Sequence, residues 1–135
     1  MIRTYVDSCV YIDAWSGAEP DRTKARSFFA DPNREFISSN FVRLEPLPKP
    51  TTKGYPDELR FYERLFLLVS GWVPATDTII DEAIAVASDC DTSGIDSIHI
   101  AATVVGMADE FVTTESDSKP MFKEKRLRVR RAQDL

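Results

Sequence analysis

The sequence predicts an α/β protein, a three-layer α/β/α sandwich around a central parallel sheet of four to five strands. Short β-prone runs alternate with helical segments at short intervals, and no long run of consecutive strands appears. The chain also has no internal repeat, low-complexity tract or linker, so residues 1–135 read as one domain.

Ile2 to Asp7 is a β-prone run ending on an acid, and Ser8 offers a cap for a helix from Cys9 to Trp15 that Gly17 stops. Glu19-Pro20-Asp21 opens a second helix through Phe28 and Phe29, with the proline near the first turn, where its missing N–H costs little. After the turn Asp31-Pro32-Asn33 comes a second strand, Glu35 to Ser38. Ser38-Ser39-Asn40 then caps a helix carrying Phe41, Val42, Leu44 and Glu45. Pro46, Pro48 and Pro50 must keep that helix short.

Pro56 to Ser70 predicts an amphipathic helix ended by Gly71, and Trp72-Val73-Pro74 a brief third strand. Thr76 to Ser88 and the segment from Ser93 to Gly106 predict two successive helices. Glu110 to Thr113 predicts a fourth strand and Leu127 to Val129 a fifth. Phe61, Tyr62, Leu65 and Phe66 read either as core or as a surface for a homodimer.

With 43% apolar residues the chain can build a core without disulfides. Cys9 and Cys90 show no metal-type spacing, no secretory signal is visible, and no apolar run approaches the roughly 20 residues that span a bilayer. These features predict a soluble cytoplasmic protein without a membrane partner. The net charge of −5 argues at first against a nucleic-acid partner, but it is unevenly spread. Residues 119–135 hold seven basic and two acidic residues, against ten and twenty in residues 1–118. The acid excess lies in the body, where bound cations would neutralise part of it.

In open parallel sheets the binding crevice lies beyond the carboxyl ends of the strands. Asp7 closes the first strand there, and Glu115 and Asp117 follow the fourth. Asp96 begins an otherwise apolar helix, and Glu45 lies just after the second strand. Each acid alone reads as a cap or a surface charge. Together they form a hard-oxygen donor set suited to Mg2+ or Mn2+, whereas one histidine and two scattered cysteines argue against zinc or iron. Such an ion activates water and neutralises charge on a phosphate, which suits phosphodiester hydrolysis.

Four blocks, Thr4-Tyr5-Val6-Asp7-Ser8, Ser38 to Glu45, Ile95 to Ala102 and Phe111 to Asp117, resemble in order and spacing the PIN-domain family, particularly the VapC-like ribonuclease toxins. The resemblance implies a PIN-like fold and an endoribonuclease that hydrolyses single-stranded RNA with Mg2+ or Mn2+. It also implies a toxin role in a type II toxin–antitoxin pair, with a cognate antitoxin and commonly a homodimer. Asp7, Glu45 and Asp96 match the family's first three acids. At the fourth corner Glu115 stands where relatives carry Asp, with Asp117 two residues on. Both are candidate ligands, and Asp117 is expected to orient a metal-bound water or Ser116. Ser8 and Thr114 are expected to hydrogen-bond the acids or a metal water, or else to cap local backbone, and His99 to serve structurally within its helix.

Pro46 directly after Glu45 departs from the family pattern and should break the helix that carries this acid. The alternatives are a PIN-fold nuclease for RNA processing or DNA, or a catalytically weak PIN-like binding protein.

Overall fold

The computed structural model describes residues 1–135. Its elements are β1 (Ile2–Val6), α1 (Ser8–Ser16), α2 (Asp21–Phe29), β2 (Arg34–Ser39), α3 (Asn40–Arg43), α4 (Pro48–Lys53), α5 (Pro56–Phe66), β3 (Val69–Val73), α6 (Asp77–Cys90), α7 (Gly94–Val105), β4 (Glu110–Thr113) and β5 (Arg128–Arg131). All five strands are parallel, in the order β3-β2-β1-β4-β5. The expected α/β/α sandwich is therefore the one observed.

The chain winds outward from β1 through β2 to β3, then crosses back to lay β4 on the other side of β1. The strand order reverses between β1 and β4, and that is where an open α/β sheet leaves a crevice at its carboxyl edge. The register is direct: Tyr5 pairs with Ile37 on one side and Phe111 on the other, and Val6 pairs with Val112.

A cluster of 24 buried apolar residues fills both interfaces between sheet and helices. On one face Tyr11 of α1 stacks between Phe29 and Phe66, and Phe28 and Phe29 meet Phe36 of β2. On the other, Tyr5 and Phe111 stack together and Tyr5 faces His99 of α7. Tyr62 and Phe66 are core, and Phe61 and Leu65 pack against it. This aromatic row is therefore part of the core. No helix is long and apolar enough to cross a membrane.

Local boundaries differ from the sequence expectation in four places. Asp7, not Ser8, caps α1, because its carboxylate accepts the Ser8 N–H. Gly71 lies inside β3 rather than ending a helix: α5 stops at Phe66, Leu67 and Leu68 turn the chain, and the residues from Val69 pair with β2. The prolines after Glu45 do not suppress helix altogether, since Pro48 opens α4 with Pro50 still in its first turn, where backbone N–H groups have no helical partner. Glu45 itself lies beyond α3, in the turn joining it to α4. Smaller shifts extend α6 to Cys90 and move β5 to Arg128–Arg131.

At the opposite, amino end of the sheet, the buried Glu110 carboxylate accepts from Thr4 and Arg34, and Arg130 stands 3.5 Å away. That cluster neutralises its own charge and locks β1, β2, β4 and β5 together.

Candidate active site

Asp7 leaves β1 with its N–H still donating to Val112 of β4 at 2.8 Å, so its position is set by the central strand pair. Its Oδ1 accepts the Ser8 N–H at 2.8 Å and its Oδ2 accepts the Thr113 hydroxyl at 2.8 Å. The carboxylate is only 5% exposed. Burial pushes its pKa above the ordinary aspartate range; His99, Thr113 and Cys9 oppose that shift, and the like charge of Asp96 adds to it. Asp7 is thus a buried carboxyl held in place by neutral donors, without a full counter-charge from the protein to favour its ionised form.

Thr113 is the hub of this corner. While its hydroxyl donates to Asp7, its oxygen receives the Glu115 N–H at 3.2 Å and lies 3.4 Å from the Cys9 thiol. Burial, then the charge of Asp7, pushes the Cys9 thiol up to about 12, so it remains a neutral thiol. Its sulfur also accepts the Thr114 N–H at 3.3 Å. The loop after β4 is therefore pinned to α1, and Glu115 starts from a backbone tied to the group that orients Asp7.

Glu45 joins the site from the other side. Its Oε1 stands 3.3 Å from His99 Nε2, which is itself 4.0 Å from Asp7 Oδ1. The hydrogen bond from His99 holds the Glu45 carboxyl below the usual range; partial burial opposes it and the Ser8 hydroxyl assists. His99 is fully buried, and its Nδ1 lies 3.3 Å from the Tyr5 hydroxyl, which in turn lies 2.6 Å from Ser39. Asp96 sits one turn before His99 in α7, half-buried, with its N–H donating to the Ser93 cap.

Asp7 and Glu45 are thus linked through His99 and Ser8, the charge of Asp96 acts on Asp7, and Glu115 is anchored beside Asp7 by its backbone. Asp117 turns elsewhere: it is exposed and lines a groove with Phe122 and the arginines of β5. Ser8 contributes its N–H to Asp7, whereas Thr114 makes backbone contacts, donating to Cys9 and accepting from Gln133. Tyr5, Ser39, Thr113 and Cys9 were not anticipated from the sequence. Strand alternation offered one signal, since Tyr5 lies two residues before Asp7 and Thr113 is the last residue of β4.

The donor set fits a divalent cation in its chemistry: carboxylate oxygens, with one of them buried beside a like charge. As the side chains stand, no three carboxylate, imidazole or thiol groups share one coordination sphere. The His99 contact holds Glu45 apart from Asp7.

No family model matches the sequence, and no curated protein matches it. Solved structures do. A chain of VapBC2 from Rickettsia felis, solved bound to a DNA fragment from the VapBC promoter, superposes with a TM-score of 0.69 at 10% identity, covering 96% of this chain and 98% of that one. A toxin–antitoxin complex from Klebsiella pneumoniae gives 0.69 at 17% identity, covering 92% and 94%. VapC20 from Mycobacterium tuberculosis, a toxin that cleaves the sarcin–ricin loop, gives 0.63 at 14% identity, covering 80% and 86%. The chain shares its fold with these proteins over most of its length.

Proposed function

We propose that this chain is a divalent-metal-dependent endoribonuclease that hydrolyses phosphodiester bonds of single-stranded RNA, and that it acts as the toxin of a type II toxin–antitoxin pair. The observation that carries this reading is the buried Asp7 carboxylate at the point of strand reversal, with Asp96 and Glu45 beside it, in a fold shared with VapBC structures. A buried anion with a like-charged neighbour costs stability unless a cation is supplied.

Asp7, Asp96, Glu45 and Glu115 would hold Mg2+ or Mn2+. A bound ion supplies a water of lowered pKa and neutralises charge building on the phosphate. The protein's part is positional. Ser8 and Thr113 each hold one oxygen of Asp7, which fixes the orientation of its carboxyl group. His99 holds Glu45 ionised and oriented, and Thr113 anchors the backbone of Glu115.

The test uses purified protein and single-stranded RNA. Cleavage requires Mg2+ or Mn2+, ceases in EDTA, and is lost in Asp7→Asn and Asp96→Asn while both variants still melt cooperatively. The ion raises the melting temperature of the wild type and not of Asp7→Asn, since a ligand that binds only the native state must stabilise it. Undiminished cleavage in EDTA or by either variant sinks the proposal. Glu115→Gln is the more damaging and Asp117→Asn the milder of that pair. Neutralisation by the product of an adjacent reading frame tests the toxin role, and single-stranded DNA offered in parallel tests a DNA nuclease of the same fold.

One observation favours a second reading, a catalytically weak PIN-like binding protein: Glu45 is engaged by His99 rather than gathered with Asp7. RNA binding without cleavage under any divalent ion would select it.

A further inference from the structure

The β5 strand Arg128-Val129-Arg130-Arg131 pairs only with β4 and forms one edge of the sheet. Arg128, Arg130 and Arg131 line a groove of about 270 Å³ together with Val129, Phe122, Asp117 and Asp134. Charged residues on an open strand often serve only to prevent edge-to-edge aggregation. That role needs neither a concavity nor an aromatic wall, and this groove has both.

Its charges are also incompletely satisfied. Arg130 faces Glu110 at 3.5 Å, but Arg128 is exposed and pairs with no carboxylate; Arg131 reaches Asp134 only at 3.7 Å, and its buried Nε has no partner. By contrast Arg126, just outside the groove, is gripped by Glu82, Asp89 and Glu124. Guanidinium groups left free along a groove with an aromatic side are suited to phosphates and stacked bases of a single strand.

Register places this groove against the acid site. Arg131 pairs with Thr113, the residue that holds Asp7, and Arg130 pairs with Val112, which pairs with Val6. With strands about 4.8 Å apart, the Arg130 backbone is about 10 Å from that of Val6.

We propose that the β5 edge is the track for the sugar–phosphate backbone of the single-stranded RNA that enters the acid site, a deepening that rests on the nuclease reading above. Arg128 and Arg131 hold phosphates, Arg130 remaining with Glu110, and Phe122 offers a face to a base. The uneven charge of the chain then has a purpose: its basic end lies beside the acidic site and draws a polyanion toward it.

The experiment is fluorescence anisotropy of a labelled oligouridylate titrated in EDTA over a range of salt, so that binding is read without cleavage. Arg128→Gln and Arg131→Gln each weaken binding and flatten the log–log salt slope by about 0.7, the counterion release expected per phosphate contact on a single strand. Phe122→Leu weakens binding without changing the slope. Arg60→Gln, exposed on α5, changes neither. Arg128 is exposed, so its variant keeps the test valid if Arg131→Gln proves unstable.

Unchanged affinity and slope in Arg128→Gln and in a folded Arg131→Gln overturn the track, as does a wild type that fails to bind RNA in EDTA. So does a groove that binds polyglutamate in preference to RNA, which would assign it to an acidic protein. RNA binding that depends on β5, in a protein that cleaves nothing with Mg2+, keeps the track and removes the nuclease.

Discussion

The His99 imidazole stands 3.3 Å from the Glu45 carboxylate, so a buried ring on α7 orients an acid that no helix carries. An ionised carboxylate can only accept, which puts a proton on Nε2; in the neutral ring Nδ1 is then an acceptor. The Tyr5 hydroxyl then donates to Nδ1, and Ser39 donates to Tyr5. Tyr5→Phe removes the donor that holds the ring. Because this is the chain's one histidine, a long-range ¹H–¹⁵N spectrum reads its tautomer without ambiguity. Wild type shows a protonated Nε2 and a bare Nδ1. Tyr5→Phe shifts the Nδ1 resonance and lowers cleavage by about 10-fold, the lower end for losing a group that orients a ligand. An unmoved Nδ1 resonance refutes the linkage.

Glu124 predicts a pH dependence. Burial pushes its carboxyl up, but the Arg126 N–H, the Cys90 thiol and the Arg126 guanidinium outweigh this and leave it below the usual range. A depressed carboxyl stabilises the fold above its unfolded pKa of about 4.3, and that stability is lost as pH falls through the lower folded value. Glu124→Gln therefore costs about 2 kcal/mol at neutral pH, the worth of hydrogen bonds to a charged group. The gap from wild type narrows steadily below about pH 4. Urea unfolding at both ends of that range measures it, and a gap that is constant with pH would contradict the assignment.

Two glycines should respond differently to alanine. A Cβ on Gly106 would lie 2.6 Å from Val73 Cγ2 and 3.0 Å from the Ala102 carbonyl, the second of which is helix backbone and cannot yield. A Cβ on Gly71 meets only the end of the Ile37 side chain, at 2.7 Å, which can rotate away. Gly106→Ala costs about 2 kcal/mol by overpacking. Gly71→Ala costs less, since fewer unfolded conformers offset part of the repacking. Equal midpoints in denaturant would count against this ranking.

Strands whose apolar residues lie between clear turn residues were legible in the sequence: β1, β2 and β4 fall within one or two residues of expectation. What the sequence concealed was decided by distant partners. Leu67 to Val69 continue the helical pattern of α5, yet pairing of Val69 with Phe36 makes a strand there. Pro48 and Pro50 read as breakers because their effect depends on whether they stand in a first turn, and only the fold settles that. The bond from Tyr5 to His99 spans 94 positions and leaves no local trace. Asp117 reads as part of the acid block by adjacency, but the loop turns it toward β5.

The bond between Thr113 and Asp7 joins residues 106 positions apart, and β1 gains its second neighbour only when β4 docks. Closing so long a loop is slow, and a chain made from its amino end presents β1 long before β4 exists. On the ribosome, Asp7 therefore emerges early as an unsupported, solvated carboxylate. The corner in which Thr113 holds Asp7 forms only after β4 has emerged and docked on β1.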